Sequence, residues 1–519
     1  MLSLGCEYTA EITDCTVLGA GVARCDGCAV FVKGAVTGEL CRFVIREVKK
    51  NFASADLIEV ISRSDKRTKS DCPIHESCGG CTLRHVTKEY EAETKENTVR
   101  SALSKAGLQD VNVKPCLMPS GERYRNNVQL HFDTCGNVGF YEEESNTVCP
   151  LNSVGCRVIP TLLEKIGIAS GEIIKELQLP FPEKLALRLS ADGNVCAALT
   201  YDKDSSGKHR FADELTKRFP AVSGVSARLR GESAYSLVKG ERYIETSLMG
   251  LRFRISPEAF FQVNYEGAEL LFGKVAEYAA KCDFTYCADL YCGTGVIGMI
   301  LAHLYRGARF TGVEINAEAV EDARMNAKLN RIDNIDFYCG DAGRFAAEKS
   351  PELVVLDPPR RGLSDRMIKV ITDISPQSVI YVSCNPFTLA RDAKKLCEFG
   401  YIIYEATPVN MFPRSGHVET VILLSRKDVY ERIKFDVNVE DLQGRASSTA
   451  TYSEIKAYIL EKYGLKVSSL YIAQIKDKCG FEKRDNYNIG EGKSKELICP
   501  PEKEQAIMDA FRHFGMLRD

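Results

Sequence analysis

The residues best suited to chemistry are Ser383-Cys384-Asn385-Pro386, which follow the apolar run Val379-Ile380-Tyr381-Val382. A short β-branched run of this kind predicts a buried strand. Asn385 suits a helix N-cap and Pro386 the first helical position. The following helix is predicted over Phe387–Phe399, with Leu389, Ala393, Leu396 and Phe399 on one stripe. Cys384 therefore stands where a strand gives way to a helix, the place where open α/β sheets receive ligands. Amide dipoles at a helix start favour a thiolate, which predicts a lowered thiol pKa and a nucleophile. Further on, Glu419 stands at the entrance of a predicted strand, Val418–Leu424. A carboxylate on a neighbouring strand end is placed to act as a base.

A second group is Cys72-Pro73, Cys78, Cys81 and Cys149-Pro150. Gly79 and Gly80 let the chain turn tightly between the second and third thiols. Four thiolates suit zinc or an iron–sulfur cluster, and His75 or His85 could replace a thiol around zinc. The residues themselves leave both open.

A third group is Asp289-Leu290-Tyr291-Cys292-Gly293-Thr294-Gly295, followed by Glu314 and Asp341. A glycine loop after a strand admits a ligand to the backbone, and an acidic residue ending the next strand can accept from ribose hydroxyls. The third glycine of a dinucleotide fingerprint is missing, which disfavours a nicotinamide oxidoreductase. Asp289 would repel a pyrophosphate and would suit a cation such as the sulfonium of S-adenosylmethionine. Asp357-Pro358-Pro359-Arg360-Arg361-Gly362 follows another strand, and its prolines hold Asp357 at the strand tip.

The positioning elements follow from periodicity and glycine punctuation. Residues 1–64 read as short strands with glycine turns, a small OB-like β-barrel. Residues 65–255 form a central α+β region carrying the cysteine loop, with a helix over about Lys88–Ala106. Residues 256–428 repeat βαβ units, which predicts a doubly wound Rossmann-like sheet. That stretch begins with a long helix near Glu258–Lys281. Residues 430–519 form an accessory helical unit. Its helices Thr451–Tyr463 and onward from Ser468 to Lys478 surround Gly464 and end before Gly480, as a helix-turn-helix or a plain helical hairpin would.

Composition sets the class. Forty-five per cent hydrophobic and 27% charged residues predict an ordinary soluble protein with several cores. No run approaches a membrane span, and the N-terminus has no secretory signal pattern. Twenty-one cysteines in such a chain predict reduced thiols, metal ligands and catalysis in the cytoplasm. A net charge of −3 argues against a general nucleic-acid coat while allowing a local basic groove.

Taken together, residues 1 to about 428 resemble the RNA uracil-C5 methyltransferases, most closely the 23S ribosomal RNA enzymes with a TRAM barrel and a [4Fe-4S] cluster. The resemblance rests on Gly19-Ala20-Gly21-Val22-Ala23, the Cys72/Cys78/Cys81/Cys149 set, Tyr124-Arg125-Asn126 and Ser256 to Asn264. It rests also on Asp289–Gly295, Asp357-Pro358-Pro359-Arg360, Ser383–Pro386, Met411-Phe412-Pro413 and His417-Val418-Glu419. It implies Cys384 as nucleophile and Glu419 as general base. Gln262, Tyr291, Glu314, Asp341 and Asp357 would line the S-adenosylmethionine site, and the cysteines would hold iron–sulfur rather than zinc. The implied partner is 23S ribosomal RNA, read at an unpaired, flipped uridine by a monomer, with no DNA and no membrane. Arg123, Tyr124 and Arg125 could grip the strand. Two departures from the family pattern are Asn410, where aspartate is usual, and Val296, where some relatives place an asparagine that contacts the cofactor. Rival readings are a transfer-RNA uridine-C5 methyltransferase and a non-catalytic RNA-binding ribosome-assembly factor. The retained Cys384 and Glu419 weigh against the latter.

Overall fold

A computed structural model describes residues 2–16, 18–143, 145–151, 155–345, 350–427, 429, 452–467, 469–479 and 500–514. Alternation of buried and exposed residues closes the first five strands on one another. They are β1 (Glu7–Cys15), β2 (Ala20–Cys25), β3 (Cys28–Lys33), β4 (Leu40–Val48) and β5 (Phe52–Ser62), in the barrel order β1-β2-β3-β5-β4. Ile12, Val30, Val32, Phe43 and Ile45 fill the interior. Gly21 is obligatory there, because a Cβ would lie 2.6 Å from the Ile12 side chain and 2.9 Å from Ala35. A closed barrel has no free strand edge to pair with other chains.

After the cysteine loop, helix α1 (Lys88–Lys105) starts at Thr87, whose side chain accepts from the Tyr90 amide. The central sheet follows. Its strands are β6 (Asn127–Phe132), β7 (Val138–Tyr141), β8 (Val148–Pro150), β9 (Lys184–Leu189), β10 (Val195–Tyr201), β11 (Val222–Leu229) and β12 (Ser236–Gly240). They pair in the order β12-β11-β10-β9-β6-β7-β8, with only β10 and β11 parallel. Helices α2 (Thr161–Glu176) and α3 (Lys208–Arg218) cover one face through Leu163, Ile166, Phe211 and Leu215. The hairpin β13 (Ile244–Leu248) and β14 (Leu251–Ile255) turns at Met249 and Gly250, both at positive φ.

The third assembly has helices α4 (Tyr265–Ala280), α5 (Val296–Leu304), α6 (Ala317–Leu329), α7 (Asp365–Ile374) and α8 (Pro386–Glu398). Its strands are β15 (Tyr286–Leu290), β16 (Arg309–Glu314), β17 (Ile335–Cys339), β18 (Leu353–Leu356), β19 (Ser378–Ser383), β20 (Tyr401–Val409) and β21 (Glu419–Arg426). They pair in the order β17-β16-β15-β18-β19-β21-β20, parallel from β17 to β19, with β21 antiparallel to both neighbours. Strands buried on both faces explain the apolar runs Leu353–Leu356 and Val379–Val382. The doubly wound fold and the N-terminal barrel are thus as the sequence predicts.

The long helix expected from Glu258 begins instead at Tyr265. Asn264 caps it by accepting from the Gly267 amide at 3.1 Å. The residues before it give their backbone groups to tertiary partners. Arg188 donates to the Ala259 carbonyl at 2.9 Å, and the Asn126 amide donates to the Val263 carbonyl at 2.8 Å.

Residues Asp428–Asp519 form a second compact unit. Helices Tyr452–Tyr463, Ser469–Lys478 and Pro501–His513 share a core of Ile455, Ile459, Val467, Ile472, Ile475, Ile507 and Phe511. The third helix turns the expected pair into a three-helix cluster. The predicted cap at Ser468 and stop at Gly480 lie outside the described residues. Among the described residues no helix is long and apolar enough to cross a membrane.

Asn410 is held by two buried charged groups of α1. Its side-chain amide donates to Glu91 of α1 at 2.7 Å, and its carbonyl oxygen accepts from Lys95. Lys95 also pairs with Glu91 at 3.2 Å and donates to the Phe412 carbonyl at 3.2 Å, and the Arg414 amide reaches Glu91 at 2.8 Å. Glu91 and Lys95 are each 1% exposed. The carboxylate that meets Asn410 and Lys95 is Glu91 of α1. A buried pair broken from one side leaves an uncompensated charge. Lys95→Met is therefore expected to lower unfolding free energy by about 3 kcal/mol in urea titrations. The Glu91→Gln/Lys95→Met double variant should lose less than the sum of the single changes.

Candidate active site

Every parallel strand of the third assembly from β17 to β18 delivers a predicted site residue at its C-terminal end. Tyr291 follows β15, Glu314 ends β16, Asp341 lies two residues past β17 and Asp357 follows β18. Tyr291 sits at φ +70°, a left-handed conformation costly for a non-glycine residue. Gly293 and Gly295 follow at +54° and +79°. A Cβ at Gly295 would meet the Phe337 ring at 2.6 Å. The loop is drawn onto the next strand, because Glu314 accepts from the Gly293 amide at 3.1 Å and from the Asn316 amide at 2.8 Å. Asp289 lies beneath it, 1% exposed, and accepts from the Gly298 amide at 2.8 Å. Burial pushes its pKa up to about 7. Asp341 is more exposed and caps a short turn through the Gly343 amide at 2.9 Å. Gln262 comes from a different segment, held by Asn126 Nδ2 donating to its carbonyl at 3.2 Å.

Cys384 and Glu419 meet through strand register. Ser383 of β19 pairs with Thr420 of β21. The ladder ends there, so Cys384, one residue past β19, and Glu419, the first residue of β21, lie at the same end of the sheet. The Glu419 carboxyl is near enough to act on the thiol. Glu419 also pairs with Val409 of β20, so it sits on a central strand with neighbours on both sides.

The turn after Cys384 is rigid. Asn385 accepts from the Phe387 amide at 3.1 Å, and its own amide donates to Ser383 Oγ at 3.1 Å. Asn385 Nδ2 and Thr388 Oγ1 both donate to the Arg360 carbonyl, at 3.3 and 3.2 Å. That ties the Asp357–Gly362 loop to the thiol-bearing turn. At the far end of the loop, buried Asp392 accepts from the Leu363 amide at 2.7 Å and from Tyr381 at 3.0 Å.

The electrostatics differ from the sequence expectation. The helix start predicts a lowered pKa for the Cys384 thiol; its pKa is raised. Desolvation is the largest cause, and the Glu419 and Asp357 carboxyls add to it while Arg360 opposes it. The helix start is outweighed because the thiol is half-buried beside two acids. Burial and the neighbouring Asp357 push Glu419 up to about 8, and burial pushes Asp357 to about 7. At neutral pH the free site thus favours a neutral Glu419 and an un-ionised thiol. Arg360 is the cation facing this pair. Its place two residues after Pro358 is visible in the sequence, but its role is not.

The Arg123-Tyr124-Arg125 segment is half-buried. Arg123 donates to the carbonyls of Cys156 and Ile159 and pairs with Glu164, and Tyr124 donates to the Pro413 carbonyl at 3.1 Å. These contacts tie Arg123 and Tyr124 into the fold, while the Arg123 side chain stays 37% exposed.

The cysteine loop frames a cavity of about 60 Å³, lined by Cys72, Cys78, Cys81, Cys156, Arg84 and Arg125 among others. Cys149 stands at its margin and is among the neighbours that raise the Cys78 pKa, after burial. Among the described residues, no three His, Cys, Asp or Glu side chains converge closely enough to hold a single metal ion. The iron–sulfur assignment is therefore not demonstrated by ligand geometry. The donor set itself suits a polynuclear group, because thiolates on a cluster bind different irons and need not share one centre. The guanidinium walls suit an anionic occupant. His75 and His85 pack 5.6 Å apart, and burial pushes His85 down to about 4.

A family model described as tRNA (Uracil-5-)-methyltransferase matches residues 193–427. A protein of Clostridium acetobutylicum described as an uncharacterized RNA methyltransferase is 33% identical over 452 residues, covering 81% of this chain and 97% of its own. A relative of the same description from Caldanaerobacter subterraneus is 32% identical, covering 82% and 99%. Among solved structures, the Pyrococcus abyssi tRNA (uracil-54, C5)-methyltransferase in complex with S-adenosyl-L-homocysteine is similar, with a TM-score of 0.66 and 26% identity. That match covers 80% of this chain and 99% of the archaeal one. With its strand-end acids and its cysteine and glutamate at one end of the sheet, this chain belongs to the uracil-5-methyltransferase family of S-adenosylmethionine-dependent RNA methyltransferases.

Proposed function

We propose that this protein methylates carbon-5 of an unpaired uridine in 23S ribosomal RNA, as a cytoplasmic monomer, through a covalent adduct on Cys384. The observation that supports this is the β19–β21 register, which brings Cys384 and Glu419 to the same end of the sheet as the Asp289–Gly295 loop. The Cys384 thiolate adds to carbon-6 of uracil, and the ring becomes an enolate with electron density on carbon-5. Carbon-5 takes the methyl group of S-adenosylmethionine, whose methyl–sulfur bond breaks to leave the neutral thioether. Glu419 removes the carbon-5 proton, the carbon-5–carbon-6 double bond re-forms and the bond to Cys384 breaks. Tyr291, Glu314, Asp341 and Asp357 would line the cofactor pocket, with Gln262 reaching it from the segment before α4. Arg360 would offset the negative charge that builds beside Asp357. The N-terminal barrel would serve as a TRAM-type RNA-binding module, and Cys72, Cys78, Cys81 and Cys149 would hold a [4Fe-4S] cluster.

A transfer-RNA substrate is the second reading. The archaeal tRNA enzyme matches over 99% of its length and 80% of this chain. Unit 1, Met1–Lys427, is itself only about four-fifths of the chain, so that match extends well outside the catalytic sheet. The presence of extra domains therefore separates the two substrates weakly. Sequencing of 5-methyluridine in ribosomal and transfer RNA, after incubation with the protein, decides between them. The ribosomal reading expects the new mark in 23S RNA only; a mark confined to transfer RNA overturns it.

Cys384→Ala should retain RNA binding and lose methylation by roughly 10⁴-fold or more, read as tritium transfer from labelled S-adenosylmethionine. Near-normal turnover would remove the covalent route. The acids also set a pH signature. Base action by Glu419 predicts that kcat/KM rises with pH through about 8. Stability should run the other way. The folded state holds a proton on Glu419 up to about 8, against an ordinary value of 4.5. Its stabilising contribution is full below that ordinary value and is lost as pH rises through about 8. Glu419→Gln should therefore raise the melting temperature at pH 9 more than at pH 5, as measured by calorimetry.

A further inference from the structure

Four thiols line the cysteine cavity, and Cys149 stands beside it as a fifth. Cys72, Cys78 and Cys81 come from the loop before α1, and Cys156 lines the same cavity from the segment between β8 and α2. Cys149 reaches the margin from β8. It pairs with Phe140 of β7, and Cys78 forms a bridge with Glu142 two residues beyond Phe140. All five are free thiols. The wall between them is cationic. Arg84 is only 2% exposed along its side chain and places Nε and Nη2 on Asp71, at 2.7 and 3.2 Å. Its Nη1 is buried without a partner among the described residues, and Arg84 lines the cavity with Arg125. A buried guanidinium nitrogen left unbonded costs free energy unless an acceptor fills the space beside it.

We infer that Cys149 and Cys156 serve one ligand position of an anionic iron–sulfur cluster in this cavity, so that either can complete it. The inference rests on the cluster reading proposed above. Cys156 belongs to the cavity by geometry, whereas Cys149 is 5% exposed and enters beside Cys78. Arg123 fixes the Cys156 backbone by donating to its carbonyl at 3.3 Å, so that thiol is held at the wall. A thiol that takes a cluster position gives up its proton to solvent, and the displaced thiolate takes one back. The iron oxidation state does not change. Arg84 Nη1 would donate to the bound sulfur, a contact that tunes cluster affinity and potential.

The test uses the full chain, reconstituted anaerobically with ferrous iron and sulfide, then alkylated with iodoacetamide and mapped by mass spectrometry. Iron and sulfide content reads the cluster itself; protein that binds neither, or binds only zinc, defeats the underlying reading and this inference with it. In loaded wild-type protein, Cys72, Cys78 and Cys81 should be protected, and labelling should divide between Cys149 and Cys156. Full protection of Cys149 with full labelling of Cys156, while iron and sulfide are bound, overturns the inference and leaves the cluster standing. Cys149→Ser and Cys156→Ser should each retain at least about half of the iron, and the double variant should fall roughly 10-fold or more. Loss of all iron from Cys149→Ser, with wild-type content in Cys156→Ser, also overturns it. The labelling arm needs no variant, so it remains decisive if a substitution impairs folding.

Discussion

The candidate active site depends on one strand register. β21 runs antiparallel between β19 and β20, and its pairing sets Thr420 against Ser383. That brings Glu419 to the same end of the sheet as Cys384, although α8, β20 and the loop after it lie between them in the chain. Side-chain direction alternates along a strand, so a slip of one residue would turn both groups to opposite faces. The slip is prevented because β19 and β21 are buried on both faces along almost their whole length. Burial therefore does two things at once. It fixes the register, and it desolvates the pair, which is why Glu419 and Asp357 hold their protons so far above the ordinary carboxylate range.

The rest of the first unit stabilises that strand end. The loop from Asn410 to Gly416, which leads into β21, is gripped from three sides. Glu91 and Lys95 of α1 hold Asn410 and Arg414, and Asn264 at the start of α4 donates to the Met411 carbonyl at 3.0 Å. The cysteine loop closes the third side, with the Leu83 amide on the Arg414 carbonyl at 3.0 Å and Thr82 Oγ1 accepting from the Gly416 amide at 3.0 Å. The cysteine cavity and the active site are thus neighbours in the bonded network, separated by a few residues of chain.

Much of this is legible in the sequence where local rules agree with the fold. The helices expected over about Lys88–Ala106 and over Phe387–Phe399 fall within one residue of α1 and α8 at each end. The strand-end positions of Cys384 and Glu419 are readable because strand ends and helix caps leave local signatures. Three things are not readable, each because it depends on distant partners. The start of α4 is set by Asn126, Arg188 and the Asn264 cap rather than by helix propensity around Glu258. The Cys384 pKa follows burial beside two acids from other strands, which overrides the helix-start effect. The bonding of Arg123 and Tyr124 depends on Cys156, Ile159 and Pro413, far away in sequence.

The most direct test of the central claim combines Glu419→Gln protein, unmodified substrate RNA and S-adenosylmethionine, with denaturing gels and peptide mass spectrometry. With the base removed, carbon-5 keeps its proton after methyl transfer, so the ring cannot release the sulfur. A methylated RNA adduct should accumulate on Cys384, and the further Cys384→Ala change should abolish it. Free methylated RNA at the wild-type rate, or an adduct on another residue, would contradict Cys384 and Glu419 as the reacting pair.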